Sequence, residues 1–337
     1  MQFGLMLRSQ YPKEENLKDC FANILVQVAK AEKIGFSSIT KGSHYSTFPF
    51  NSLQQIPFLA RIAAEVPTMR LNAGIVLLPL HKPLDIAEQI ATLDIITNGK
   101  IIFGAGLGYR DVEFKAFGTS KKDRVQRLEE NLIAIKRLWT EEKVSMIASH
   151  FTLEEASCSP RPLQVPHPPI WIGANSDAGI KRAAKFGDSY YINPHNRIDT
   201  TKRQLELYKE ELVKLNKPFP QELPMRREVF VAEDFDKAVS LCRPYLEKKY
   251  TSYSNWGQDK AMPEGDDNLS LDFRELLEDR FIIGGPNEVA EKIVELSCLG
   301  VNHLIVSIEW PGMPQELVLD TMDLLATEVF PLVRKNI

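Results

Sequence analysis

The chain has 337 residues, 44% of them hydrophobic and 26% charged, with a net charge of −4. This composition suits a globular chain long enough for one large barrel or two ordinary domains, and it excludes a disordered one. No basic run offers a footprint for nucleic acid, and no apolar stretch approaches the roughly 20 residues of a membrane helix. Residues 1–8 are too short an apolar run for a signal peptide and read as a strand. Cys20, Cys158, Cys242 and Cys298 lie far apart without metal-ligand spacing. They read as isolated thiols of a cytoplasmic protein with no metal site.

Short β-rich runs alternate with helical patterns almost throughout, which predicts a parallel sheet wrapped by helices. Residues 3–7 form the first predicted strand and 16–33 the first helix, stopped by Gly35. A second strand is predicted over 37–40 and a helix over 54–64. The third strand covers 71–78, and Pro83 sits where the first turn of helix 84–96 tolerates it. Strand 101–103 follows Asn98-Gly99, and helix 124–139 carries an apolar stripe of Leu128, Leu132, Ile135 and Leu138.

From 141 to 169 the pattern breaks, and this proline-rich stretch reads as an insertion lying across the barrel. Strands at 169–173, 189–192 and 227–232 then alternate with helices at 177–185, 200–215 and 235–248. Residues 250–278, including Gly265, Asp266 and Asp267, read as a long polar excursion. Residues 281–283 lead to helix 287–299, 304–308 is the eighth strand, and 315–330 a closing helix. The expected architecture is a single-domain α/β chain over 1–337. It is a (β/α)8 TIM barrel with insertions after the fourth and in the seventh βα unit, with an open doubly wound sheet as runner-up.

Several strand-end segments carry a recognisable order. They include Gly35-Phe36 with His44-Tyr45, then Asn72-Ala73-Gly74-Ile75 running to His81-Lys82-Pro83, and Phe103-Gly104-Ala105-Gly106-Leu107-Gly108-Tyr109. Glu113-Phe114, Pro160-Arg161-Pro162, Ile170-Trp171-Ile172-Gly173 and Phe281-Ile282-Ile283-Gly284 follow. In this succession the chain resembles the luciferase-like monooxygenase family, over nearly its whole length. The resemblance implies a flavin-dependent enzyme using reduced FMN and O2 to oxygenate a small organic substrate. It also implies a homodimer, as the family often dimerises, and with no dinucleotide fingerprint in the chain a separate flavin reductase is the expected partner. Some relatives use the deazaflavin F420 for hydride transfer instead, and a non-catalytic flavin-binding barrel is a third reading.

His44 follows the second strand, where a histidine can relay a proton near neutral pH; the resemblance makes it the catalytic residue. Gly74 interrupts an apolar strand, as glycine does at a bulge or a close approach. The resemblance makes Gly74–Ile75 a cis peptide against the flavin ring. Residues 104–109 fail the dinucleotide fingerprint because Tyr109 stands where its third glycine belongs. They read as a glycine-lined strand end, with Gly108 and Tyr109 as cofactor contacts. Asn175-Ser176-Asp177 joins a strand to a helix whose free amides suit phosphate, although capping explains Ser176 equally well. Asn193 joins the cofactor contacts from the end of the sixth strand. Many relatives carry arginine where this chain has Leu107, leaving Arg124 or Arg127 to compensate. Gly284-Gly285-Pro286-Asn287 is a competing anion turn, read as structural. Trp310, and the aromatics Tyr250, Tyr253 and Trp256, are candidate cavity walls.

Overall fold

The computed structural model describes residues 1–263, 266, 268, 269 and 272–337. Its parallel strands are β1 (Gln2–Leu7), β2 (Ser38–Lys41), β3 (Arg70–Leu77), β4 (Ile101–Gly106), β5 (Ile170–Ala174), β6 (Ser189–Ile192), β7 (Pro224–Val231) and β8 (His303–Ser307). Each pairs with the next in chain order, and Gln2 beside His303 closes the ring. The narrowest seam is between β6 and β7, where Ile192 lies beside Met225. The eightfold alternation therefore closes as a TIM barrel.

Alternation along the strands sorts side chains into two cores. Met6, Ile102, Trp171, Tyr191 and Ile305 fill the barrel interior, with Ile75 packed on them. Phe3, Leu5 and Leu7 face outward to the helices. Helix Leu17–Lys33 starts at Asn16, whose side chain accepts the Lys18 N–H, and buries Ile24, Val28 and Ala31 along one stripe. Phe3 stacks on Phe330 at 3.9 Å between ring centroids, tying the first strand to the last helices. Each such buried side chain is worth about 1.5–3 kcal/mol.

An ionic chain closes the amino-terminal end of the barrel. His303 shares a hydrogen bond with Ser38 Oγ at 2.8 Å and with Glu222 at 2.7 Å, and Arg70 pairs with Glu222 at 2.6 Å. With that end sealed, the carboxyl ends of the strands are left to form a cavity.

The structure differs from the sequence expectations at four places. The 141–169 insertion folds as a hairpin, Val144–Ile147 against Thr152–Ala156, and no residue from it reaches the cavity. Its returning limb is held outside the barrel, where Asp94 accepts the N–H groups of Leu163 and Gln164. The excursion starts later than expected: helix Phe235–Asn255 continues through Tyr250 because Leu246 and Tyr250 extend its buried face. A further helix, Phe273–Asp279, lies within the excursion, and its Gly265 and Asp267 fall outside the described residues. The segment Phe281–Gly284 is a strand that pairs with the outer half of β7. Finally, Gln315–Leu324 passes through a π-helical turn, Leu325–Val329, before Phe330–Asn336.

Candidate active site

A cavity of about 360 Å³ opens where β2 to β7 end. His44, in the loop after β2, lines it. Its Nδ1 lies 3.1 Å from Glu113 Oε1, on the short helix Asp111–Ala116 that follows β4. Glu113 is 1% exposed, and the same oxygen accepts the Tyr45 N–H at 3.0 Å. Arg110 braces the loop by donating to the carbonyls of Tyr45 and Ser46, at 2.7 and 3.0 Å. A carboxylate on Nδ1 fixes the imidazole's tautomer and orientation and leaves Nε2 for proton exchange. Among the described residues Nε2 makes no hydrogen bond. The His44 ring also packs edge-on against Trp256 and Tyr109, with centroids 5.4 and 6.0 Å away.

The neighbouring strand β3 gives the cavity a floor lined by glycines. The register between β3 and β4 shifts between Ala73 and Val76, so Gly74 and Ile75 form a bulge, and the Gly74–Ile75 peptide is cis. Gly106 and Gly173 flank the Ile75 side chain; a Cβ on Gly106 would collide with Ile75 Cδ1. Gly108 has φ +74°, a left-handed conformation that turns the chain so that Tyr109 faces the cavity. The Tyr109 hydroxyl is buried and lacks a hydrogen-bond partner.

At a third wall, Ser176 caps helix Asp177–Phe186 by accepting the Gly179 N–H. Asp177 turns outward and is held by Arg203 at 2.9 Å. Leu107 lines the cavity with no charge to offer, but two guanidiniums reach this wall. Arg124 donates to the Gly108 carbonyl at 3.0 Å, and Arg182 pairs with Glu129 at 2.9 Å. Burial lowers the Arg124 pKa; Asp111 opposes the shift and the positive charge of Arg182 adds to it. Two crowded cations beside a helix amino terminus suit an anion. Arg127 does not line the cavity; it donates to the Pro79 carbonyl. The turn at Gly284-Gly285 also lies elsewhere, where Gly285 N–H is capped by Glu288.

The remaining wall joins β5, β6 and β7 to the segment after helix Phe235–Asn255. Asn175 donates to the Ala261 carbonyl at 3.1 Å and accepts from Asn193. These two residues thus line the cavity and also fasten its wall. His195 Nδ1 lies 3.0 Å from the Tyr250 hydroxyl, and burial holds its pKa well below the usual histidine value. Tyr253 lines the cavity, whereas Trp310 does not: it is wholly buried and donates to Glu228 at 2.7 Å. Its indole N–H needs a buried acceptor, and that pulls it into the core.

His44, Gly74, Ile75, Gly108, Tyr109, Asn175, Ser176 and Asn193 therefore border one cavity. Sequence reasoning missed Glu113, Arg182 and Arg226. Glu113 stands in a recognised segment, and Arg182 lies two turns into the helix that Ser176 caps. Arg226 was lost because β7 begins earlier than its apolar run. Among the described residues no group of His, Cys, Asp and Glu could hold a metal ion, and no helix is long and apolar enough to cross a membrane.

Known proteins are similar to this chain in sequence and in fold. The chain is 27% identical to an FMNH(2)-dependent dimethylsulfone monooxygenase from Pseudomonas putida, over 65% of its own length. It spans under two thirds of that relative, 64%. It is 28% identical to an F420-dependent glucose-6-phosphate dehydrogenase from Amycolatopsis mediterranei, covering 87% of this chain and 90% of that one. The crystal structure of the monooxygenase RslO1 from Streptomyces bottropensis superposes with a TM-score of 0.83 at 26% identity, covering 98% of this chain and 99% of the other. The family model for luciferase-like monooxygenases matches residues 1–303, and the chain belongs to that family of oxidoreductases.

Proposed function

We propose that the cavity binds reduced FMN and that the chain uses it with O2 to oxygenate a small organic substrate. The observation that carries this reading is the pairing of Arg124 and Arg182 beside Ser176, one wall away from the glycine-lined floor at Ile75. The donors fit the group: two guanidiniums and helix amides for a phosphate, and a floor of Gly74, Ile75 and Gly173, with Ile75 seated over Gly106, for a planar ring. The unpaired Tyr109 hydroxyl offers a further polar contact. When bound, the flavin supplies the redox chemistry that side chains lack.

The chain's own residues bind, orient and handle protons. Arg124, Arg182 and the Ser176 turn hold the phosphate. Ile75, Gly108 and Tyr109 support the ring, with Asn175 and Asn193 beside it. His44 gives or takes a proton at Nε2, with Glu113 keeping the ring oriented throughout. Tyr253, Trp256 and the 258–262 segment exclude water from the reacting centre. With no dinucleotide fingerprint in the chain, a separate reductase supplies the reduced flavin, a reading supported by a relative named as the oxygenase component of a flavin-dependent trigonelline monooxygenase.

A second reading, hydride transfer from reduced F420, is supported by the glucose-6-phosphate dehydrogenase relative, 90% of whose length is matched. Its cofactor also pairs a planar ring with a phosphate. Titrating the protein with FMN and with F420, and following tryptophan quenching by each, separates the two. Preferred binding of FMN, with labelled dioxygen entering product when a reductase is added, supports the first reading. Binding of F420 alone overturns it. Rapid NADH oxidation by the purified chain with FMN would remove the separate reductase.

A further inference from the structure

The cavity wall is electrically one-sided. Among the described residues that line it, Arg124, Arg182, Arg226 and Lys260 carry positive charge, and no aspartate or glutamate does. Arg124 and Arg182 stand at the Ser176 wall and are accounted for by a phosphate. Arg226 is not. It sits on β7, and in a ring of eight strands β7 is opposite β3, which carries the Gly74–Ile75 floor. A ring lying on that floor leaves Arg226 facing it from across the mouth.

Arg226 has an acidic partner, Glu228, which stabilises the guanidinium charge but is shared. Its Nε donates to Ser307 Oγ at 2.8 Å, and one Nη lies 3.5 Å from Glu228. Glu228 is already committed: Oε1 takes Lys249 Nζ at 2.6 Å and Oε2 takes the Trp310 indole at 2.7 Å. Two cations thus share a single carboxylate, and the ammonium holds it at the shorter distance. His195, Tyr191, Tyr250 and Tyr253 complete the neighbourhood without adding a carboxylate, and the Tyr253 hydroxyl accepts a hydrogen bond from the guanidinium. Arg227 points the other way, to the carbonyls of Asn193 and Pro194, and Arg280 pairs with Asp266 at 3.6 Å. The Arg226 side chain is 15% exposed, into the cavity it lines. A guanidinium has five N–H donors in a fork matched to a carboxylate, more than these partners use.

Resting on the flavin reading of the same cavity, we infer that the substrate is an organic carboxylate, seated on Arg226 opposite the ring. The excess positive charge is costly to keep in a closing, water-poor site, and an anionic substrate restores the balance as it enters. Anchoring one end of a small molecule on β7 also fixes which of its carbons reaches the ring edge beside His44.

The test compares phenylacetate with its neutral isostere phenylacetamide by calorimetric titration of the FMN-loaded protein at low ionic strength. The wild type is expected to bind the acid at least about tenfold more tightly than the amide, in the range of one charge-assisted hydrogen bond. Arg226→Met is expected to abolish that preference with FMN affinity unchanged, and Arg226→Lys to retain part of it. Glu228→Gln, which removes the competing carboxylate and keeps its shape, is expected to tighten acid binding severalfold.

Equal binding of acid and amide by the wild type, or an undiminished preference in Arg226→Met, would overturn the inference. So would loss of FMN affinity in Arg226→Met, which would give Arg226 to the cofactor. If Arg226→Met does not fold, Glu228→Gln decides: tighter acid binding supports the inference, and no gain overturns it. If the wild type takes up no FMN but the apoprotein still prefers the acid, the flavin reading fails and the anion site stands.

Discussion

Replacing Lys41 with methionine should change how stability depends on pH, and the size of the effect follows from its surroundings. Lys41 ends β2 and is wholly buried. Its ammonium donates to the Arg8 carbonyl at 3.1 Å and to Ser9 Oγ at 3.2 Å, over the rings of Tyr11 and Phe58, with no carboxylate in contact. Burial, with the Arg8 charge adding to it, lowers its pKa from 10.5 to about 7. Between those values the unfolded chain carries the proton and the folded chain does not. The unfolded state binds more protons, so this group makes stability rise with pH, by about 1.4 kcal/mol per pH unit.

Over the whole window that amounts to about 5 kcal/mol against the wild type at or below pH 7, vanishing near pH 10.5. Methionine removes the titration. It also leaves the Arg8 carbonyl without a donor, a cost of about 1–3 kcal/mol that does not vary with pH. The slope is therefore the informative quantity, not the offset. Urea denaturation of both proteins at pH 7.5, 8.5 and 9.5 should show the wild type gaining about 2–3 kcal/mol on the variant across the series. Parallel pH profiles would refute the reasoning and mean that Lys41 stays protonated in the fold.

Three further outcomes bear on the site. Glu113→Gln weakens the charge-assisted bond to His44, worth about 1.5–3 kcal/mol, so turnover should fall roughly ten- to a hundredfold with cofactor affinity unchanged. Its effect combined with His44→Ala should be far less than additive. Arg124→Met with Arg182→Met should cut FMN affinity about a hundredfold or more and leave riboflavin, which lacks the phosphate, almost untouched; fluorescence titration of the two ligands reads the difference. Gly106→Ala forces Ile75 off its place under the ring, at about 1–3 kcal/mol. The barrel should still melt cooperatively while FMN binding weakens, and unaltered FMN binding would count against the glycine floor.

The barrel was legible because its signal is periodic. Apolar runs of strand length recur between helical stripes, and Gly74 inside one of them points to a bulge or a close approach, with the family resemblance favouring the bulge that is observed. His44 and Ser176, singled out by the family resemblance and by their places beside element ends, both line the cavity. What escaped was set by contacts between distant segments. Glu113 matters only because its helix folds back over the His44 loop, 69 residues away in sequence. Arg226 lies at the start of β7, before the apolar run, and a charged residue facing a barrel interior counts against a strand in any pattern reading. Trp310 looked like a cavity wall from its place after β8. The carboxylate that buries it, Glu228, belongs to another strand. The helix through Tyr250 was cut short because polar residues outnumber its buried ones.

Trp256 caps the end of helix Phe235–Asn255 and touches two neighbourhoods at once. It lies 5.4 Å from the His44 ring, 4.2 Å from the Arg110 guanidinium that braces the histidine loop, and 6.2 Å from Tyr253 on the substrate side. If His44 handles protons and Arg226 seats the substrate as proposed, Trp256 couples the two, and selectivity and proton transfer would not be inherited as separate traits. A descendant that remodels the 250–262 segment to admit a new molecule also changes what His44 leans on. It must then either keep an indole there or recalibrate its chemistry in the same evolutionary step.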